Sequence, residues 1–372
     1  MRRYIIAGLA ALAVFASCDR SVVAPRPTLP LVLSVAADTT GAGRLAAQAG
    51  KWGPEGSIAI IGEPQDAISL AHRFQSSDHV DNIDGRAVRD SLPDFAGESF
   101  DVILDALNAP YGHFYTEEAD APQHLDSLRE AAVVNALFAW DSTCVRSSSD
   151  PEARLPKSRA KILIFTSAMQ AEYGLFDVDT LQQLCGGKSI LLSPADILLE
   201  QAYAGGAREI AVWTSRDARK SLTWQAVFAR KGWADARLEV LTPEPALDIR
   251  TELRNLLRQY RTTGRRMDVL IVDSYHFDPA FLSSELALIR REGTEEDAAF
   301  NKMISKNFRI LEPQSALVQT TYELLREQRL FTHRIARPAL HYYETDESGL
   351  GTPVLVELAA SYVQQAYVQD LH

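Results

Sequence analysis

The chain has 372 residues, of which 46% are hydrophobic and 23% are charged. These proportions exclude a disordered or fibrous protein, and the length predicts two lobes or domains whose cores need no disulfide or metal for stability. The net charge of −11 opposes binding to a phosphate backbone, so we expect no nucleic-acid partner.

The N-terminal residues have the pattern of an export signal. Arg2 and Arg3 precede a 12-residue apolar run at residues 4–15, which is too short to span a bilayer. The run ends in Phe-Ala-Ser-Cys, which resembles the lipobox of bacterial lipoproteins. This resemblance implies a signal peptide at residues 1–17, an acylated Cys18 and a Pro-rich tether at residues 18–30, and hence membrane anchoring in the bacterial cell envelope. A plain secretory signal is the alternative.

Short apolar runs then alternate with stretches of helical spacing. The runs are continuous, which is typical of parallel strands buried on both faces. Five precede Ser193 and four follow it, so we predict an α/β fold with two doubly wound parallel-sheet lobes of similar size, residues 31–192 and 193–345, joined by a hinge. The predicted strands are residues 31–35, 57–61, 100–104, 161–165, 189–192, 209–213, 238–241, 268–272 and 308–311.

Several helices have recognisable ends. A Ser-Pro pair at residue 193 predicts a helix that a Gly-Gly pair at residue 205 ends. Residues 125–140 carry an apolar stripe at helical spacing. We predict a last helix within residues 346–372 that returns to the first lobe, and an added edge strand or crossing at residues 334–345.

Polar loops follow most of the predicted strands. In open parallel sheets, ligands bind beyond the carboxyl ends of the strands. The hydroxyls, carboxyls and Tyr rings of these loops predict a cleft for a small polar ligand, sugar-like or amino-acid-like. Any single Ser or Thr is equally explained as a helix cap. The candidate ligand-binding residues are Asp38, Thr39, Glu63, Asn108, Tyr111, Thr166, Ser167, Thr214, Ser215, Asp273, Ser274 and Tyr275.

One segment carries a family resemblance. Residues 206–212 read Gly-Ala-Arg-Glu-Ile-Ala-Val, and a helix, a strand and the apolar run 267–273 follow. In this order they resemble the second lobe of type I periplasmic ligand-binding proteins. The resemblance implies ligand capture by lobe closure. It thus predicts a non-enzymatic, lipid-anchored solute-binding protein without cofactor or metal, with a transporter or envelope complex as a further partner.

Two alternatives remain open: an envelope enzyme on the same scaffold, hydrolase or racemase-like, and a structural assembly lipoprotein. The chain has no phosphate-binding glycine loop and no Gly-x-Ser-x-Gly elbow. Cys144 and Cys185 either form a disulfide or stay free thiols. As two cysteines in two lobes, they resemble the paired thiols of aspartate/glutamate racemases. They lack that family's Asn-Thr and Thr-His neighbours. The enzyme hypothesis predicts that a carboxyl group in the cleft, such as that of Asp38 or Asp273, has a raised pKa.

Overall fold

A computed structural model describes residues 26–81, 86, 88–114, 122–291, 294–332, 334 and 336–368. The predicted signal peptide and Cys18 lie outside these ranges. Within them, no helix is both long enough and apolar enough to cross a membrane.

The strands of the described chain form two sheets. They are β1 (Ser57–Gly62), β2 (Ser99–Leu104), β3 (Thr143–Val145), β4 (Arg154–Pro156), β5 (Ala160–Phe165), β6 (Ile190–Leu192), β7 (Glu209–Trp213), β8 (Arg237–Leu241), β9 (Met267–Val272), β10 (Ile304–Leu311), β11 (Ala339–Glu347) and β12 (Pro353–Leu358). The first sheet has the order β4-β3-β12-β11-β2-β1-β5-β6, and the second has the order β10-β9-β7-β8. The protein is therefore a mixed α/β protein whose central strands are parallel.

Helices connect and cover the sheets. They are α1 (Pro30–Ala37), α2 (Ala42–Gln48), α3 (Pro64–Ser76), α4 (Pro122–Trp140), α5 (Ala168–Cys185), α6 (Pro194–Ala204), α7 (Arg216–Lys220), α8 (Thr223–Lys231), α9 (Ile249–Arg261), α10 (Pro279–Arg291), α11 (Glu295–Met303), α12 (Pro313–Glu327) and α13 (Ala360–Val363). Every residue of β1 is buried. Such burial explains why this strand reads as a continuous apolar run.

Two helices carry the chain between the lobes. The chain leaves the first sheet through α6, whose Ser193 cap accepts a hydrogen bond from the Asp196 N–H, and it returns through α12. These two helices pack on each other. One apolar core runs from Ile60 in the first sheet to Ile210 in the second. The lobes are thus packed together along one side, and their strand ends face each other on the other side.

The prediction of a strand at residues 31–35 is wrong, because this segment lies in α1. Pro30 occupies the first helical position, and Val32 and Val35 are buried on one face of the helix. A short apolar run fits either structure, and here the proline and the spacing of three favour the helix. The end of the predicted tether also packs on the protein, since Arg26 donates to Glu172.

The C-terminal prediction is wrong in part, because only a short helix, α13 at Ala360–Val363, lies in the predicted range, where it contacts β11 of the first sheet. Residues 353–358 form β12 rather than a helix, and β12 pairs antiparallel with β11. The predicted edge strand is an interior one, because β11 lies between β2 and β12. The sheets are consequently unequal, with eight and four strands, whereas the sequence predicted similar sizes.

Candidate functional site

A pocket of about 300 Å³ lies between the two lobes. Strands β1 and β5 are neighbours in the sheet. After β1 the chain continues to β2 on one side of this pair, and after β5 it continues to β6 on the opposite side. Their following loops therefore diverge and leave a crevice, which is where open α/β sheets bind ligands. Loops after β7 and β9 close the pocket from the second lobe. The polar lining residues are Glu63, Asp66, Tyr111, Thr166, Ser167, Ser215, Asp217, Asp273 and Tyr275.

Glu63 is one of the two carboxyl groups that the first lobe places in the pocket, the other being Asp66. It directly follows β1 and precedes Pro64 at the start of α3, so its backbone is fixed by both elements. Its Oε1 accepts a hydrogen bond from the Tyr111 N–H at 2.8 Å. Burial raises the pKa of Glu63 by more than this bond lowers it, and the charge of Asp66 adds to the rise.

Asp273 is the matching carboxyl group of the second lobe. It directly follows β9, and its Oδ2 accepts hydrogen bonds from Thr214 Oγ1 at 2.6 Å and Trp224 Nε1 at 3.0 Å. Burial raises the pKa of Asp273 despite these two donors, and the Asp66 charge again contributes. Each lobe thus presents one carboxyl group that holds a proton more tightly than an exposed carboxyl group.

A buried carboxylate, Asp105, supports the first-lobe wall from behind. Within the described chain no Lys or Arg contacts it, and it is stabilised by neutral donors instead. These donors are Asn108 Nδ2, Tyr111 OH, Asn135 Nδ2 and Thr345 Oγ1, at 2.7–3.0 Å. Burial, together with the nearby Asp105 charge, raises the pKa of Tyr111 well above its usual value. The phenol therefore stays a donor, and Asp105 holds Tyr111 in place against Glu63.

Direct contacts join the lobes around the pocket. His276 Nε2 lies 3.0 Å from Asp66 Oδ1, and the Tyr275 hydroxyl donates to the Thr166 carbonyl at 2.7 Å. Gly112 lies so close to Asp217 that a Cβ there would be 2.4 Å from Asp217 Oδ2. The lobes are therefore closed on each other in this structure.

One pocket hydroxyl has unused hydrogen-bonding capacity. Thr166 is buried, and its Oγ1 has no hydrogen-bond partner among the described residues. The atom is excluded from solvent and lies against Gly62 of β1, where an added Cβ would be 1.8 Å from it, so it packs within the first lobe and does not face the pocket space. Three or more His, Cys, Asp or Glu side chains grouped to hold a metal ion are not found in the described part of the chain.

The structure brings most of the predicted site residues together. Thr214 and Ser274 line an adjoining cavity, and Asn108 supports Asp105. Asp38 and Thr39 lie elsewhere, because the predicted strand before them is α1. The residues that line the interlobe pocket are Glu63, Tyr111, Thr166, Ser167, Ser215, Asp273 and Tyr275.

Asp38 is also wrong as a candidate base. Its carboxylate accepts the backbone N–H groups of the turn that follows it, from residues 40 to 42. These bonds lower the pKa of Asp38, which is the opposite of what the enzyme hypothesis requires.

Sequence reasoning missed Asp66, Asp105, Asp217 and His276. Asp105 directly follows β2, and Asp217 and His276 lie in polar loops after β7 and β9, so their positions after strands were a usable signal. Asp66 lies in the first turn of α3, where an acid is usual for helix stability alone. Nothing local distinguishes it as a pocket residue.

The two described cysteines are free thiols outside this pocket. Cys144 is buried in β3, and burial raises its pKa to about 11. Cys185 ends α5, and burial raises its pKa too. Neither thiol is placed or activated for chemistry between the lobes.

No family model matches the chain, and no curated protein sequence matches it. Among solved structures, the glutamate racemase of Francisella tularensis in complex with D-glutamate is similar over 84% of this chain and 93% of that chain, with a TM-score of 0.50 and 12% identity. The fold is that of the glutamate racemases. A glutamate racemase of Bacillus anthracis covers 79% of this chain and 90% of its own at 12% identity and TM-score 0.48. One from Campylobacter jejuni covers 83% and 97% at 13% identity and TM-score 0.46.

This likeness corrects the predicted family. The segment at residues 206–212 is part of a racemase-like scaffold, and the predicted lipoprotein receptor of the periplasmic-binding type is wrong. The expectation of a non-enzymatic protein is corrected with it, because the similar Francisella structure is that of an enzyme. A helix, a tight turn and a strand in sequence occur in many doubly wound folds, so the motif did not separate the two families.

Proposed function

We propose that the protein is a racemase-like enzyme that moves a proton at a carbon atom of a small polar substrate held between the lobes. The observation that carries this proposal is the pair of carboxyl groups with raised pKa, Glu63 and Asp273, which line one pocket from opposite lobes. Glu63 follows β1 and Asp273 follows β9, and the pocket that both line has a volume of about 300 Å³.

Proton exchange at one carbon needs a base on one side and an acid on the other. Two carboxyl groups serve both roles when one is ionised and its partner is protonated. Burial favours the protonated form of each group, and the charge of Asp66 disfavours the ionised form of each. The free thiols, Cys144 and Cys185, have no part in this chemistry.

The charges of the pocket favour a substrate with an amino group. Four carboxyl groups line it, from Glu63, Asp66, Asp217 and Asp273, and the described lining includes no Lys or Arg. A dicarboxylate such as the D-glutamate of the Francisella complex would meet like charges here. We therefore propose a neutral or basic amino acid, or a derivative of one.

The N-terminus of α5 offers a place for the single carboxylate of such a substrate. Ser167 caps this helix, and Ala168 and Met169 of its first turn line the pocket. Free N–H groups and the helix dipole favour a negative charge at this position. The ammonium group would then lie towards Asp66 and Asp217.

The proposal is tested by following hydrogen exchange in D₂O by NMR, with both enantiomers of a panel of neutral and basic amino acids. We expect deuterium to enter at the α-carbon. Glu63→Gln and Asp273→Asn should each slow this exchange by about 10²–10⁴-fold, with each variant losing mainly the exchange of a different enantiomer. Glu130→Gln, an exposed carboxyl group on α4, is the matched control. No exchange with any member of the panel, or exchange insensitive to both variants, would refute the proposal.

A further inference from the structure

We infer that the second lobe contains a subsite for a phosphate group joined to a planar ring, as part of the same substrate. The inference rests on the proposed function only in taking the interlobe pocket as the reaction site. A cavity of about 870 Å³ adjoins that pocket and shares Ser215 and Asp273 with it. Its size is in the range of small-molecule sites, so a substrate larger than an amino acid fits across both spaces.

The topology of the second sheet places this cavity at a binding position. Strand β7 lies between β8 and β9, and the chain passes from β7 to β8 on one side before it crosses to β9 on the other. The loops after β7 and β9 therefore diverge, as those after β1 and β5 do in the first lobe. Thr214, Thr242 and Ser274 follow these three strands and line the cavity.

The cavity has basic groups that are available to an anion. Arg216 and Arg219 line it, and Arg219 makes no side-chain hydrogen bond or ion pair within the described residues. Arg216 lies 4.0 Å from Glu244, and both side chains are exposed, so this pair is weak. Two other acids line the cavity: Glu252 accepts the Ala246 N–H at 3.1 Å, and Asp273 accepts hydrogen bonds from Thr214 and Trp224. Guanidinium groups bind phosphate through paired hydrogen bonds.

An aromatic wall completes the subsite. Trp213 and Phe277 line the same cavity, with ring centroids 5.2 Å apart and planes tilted by 31°. Such a surface packs well against a planar ring. The ring and the phosphate of one ligand can thus be bound together, with the reacting end extending past Ser215 and Asp273 into the interlobe pocket.

The test is calorimetric titration of the full chain with adenosine monophosphate, uridine monophosphate, adenosine and inorganic phosphate. We expect at least one nucleotide to bind about tenfold or more tightly than either fragment. The double variant Arg216→Gln/Arg219→Gln should weaken nucleotide binding by a similar factor and leave adenosine unaffected. Phe277→Ala should weaken the nucleotide and adenosine alike. Arg237→Gln, an exposed arginine of β8, is the control.

Absence of binding by both nucleotides, or binding that the arginine pair does not affect, overturns the subsite. The variant Glu63→Gln distinguishes a failure of the subsite from a failure of the proposed reaction. This variant should lose hydrogen exchange yet bind the nucleotide as the unmodified chain does. Exchange without nucleotide binding would refute the subsite alone, and nucleotide binding without exchange would refute the reaction alone.

Discussion

Buried acidic side chains have different partners at the two ends of the first sheet. At the amino ends of β1, β2 and β5, Glu98 lies 2.7 Å from Lys161, and Asp101 lies 3.3 Å from Lys157. At the carboxyl ends, Asp105 is equally buried but has only neutral donors around it.

This difference distinguishes an end of the sheet built for stability from the end that forms the candidate site. Burial raises the pKa of Glu98, and the Lys161 charge offsets part of that rise. Among the described residues no Lys or Arg pairs with Glu63; a backbone N–H is the main factor that lowers its pKa, and His113 makes a smaller contribution. Acids left without a counter-charge are costly for stability and are typical of active sites. The amino end therefore stabilises the lobe, and the carboxyl end holds the acids on which the proposed reaction depends.

The largest expected effect on stability is at the amino end. Lys161→Met leaves Glu98 buried without its cation and should reduce the free energy of unfolding by about 3–5 kcal/mol, measured by urea denaturation. The double variant Lys161→Met/Glu98→Gln should recover most of this loss, because Gln still accepts the Thr332 N–H that Glu98 now binds. A loss below about 1 kcal/mol in the single variant would contradict the structural role.

A smaller effect on stability is expected at the carboxyl end. Asp105→Asn removes charge-assisted hydrogen bonds but leaves no buried cation without a partner. It should therefore reduce the free energy of unfolding by about 1–2 kcal/mol. Hydrogen exchange on the substrate should slow as well, since Asp105 positions Tyr111, which binds Glu63. Urea denaturation and the NMR assay measure the two effects. A loss of stability as large as that of Lys161→Met would remove the distinction between the two ends.

Closure of the lobes offers a more sensitive probe of the end that forms the candidate site. In Gly112→Ala, the new Cβ would lie 2.4 Å from Asp217 Oδ2. Because Oδ2 ends a flexible side chain, we expect less than about 1 kcal/mol of destabilisation, but a wider cleft and a higher KM. Small-angle X-ray scattering and kinetics measure these changes. Gly349→Ala, where a Cβ meets no atom, is the control, and equal behaviour of the two variants would speak against closure at Gly112.

The smallest effect concerns pH. The hydrogen bond to Asp66 raises the pKa of His276, so the interlobe pair should stabilise the protein below the usual histidine pKa of about 6.5. That contribution should disappear as pH rises through the higher folded value. Both side chains are partly exposed, which limits the effect to below about 1 kcal/mol.

Thermal unfolding of the unmodified chain and of His276→Gln, from acidic to alkaline pH, measures this contribution. The difference between their Tm values should shrink as pH rises. A constant or growing difference would exclude the ion pair as its source.

Local sequence patterns predicted the strands that are buried on both faces, such as β1, β5 and β9, because short continuous apolar runs rich in Val and Ile are typical of such strands. They also predicted the positions of Glu63 and Asp273, since each directly follows such a strand. The failure at Asp38 came from an eight-residue apolar helix, for which a run of this length is ambiguous.

Other features depend on contacts distant in sequence. Thr345 and Asp105 are 240 residues apart, and nothing near either residue indicates their hydrogen bond. The insertion of β11 beside β2 is equally non-local. The raised pKa of Glu63 depends on its burial in the folded chain and could not be derived from its neighbours in the sequence.

The position of β11 has a consequence for synthesis on the ribosome. The strands of the second sheet come from one continuous stretch, residues 209–311, so this sheet can assemble as soon as that stretch emerges. The first sheet begins earlier but is completed later, because one edge of β2 stays unpaired until residues 339–347 are translated. An open edge attracts other strands. During this interval the nascent chain exposes a strand edge that the finished fold covers.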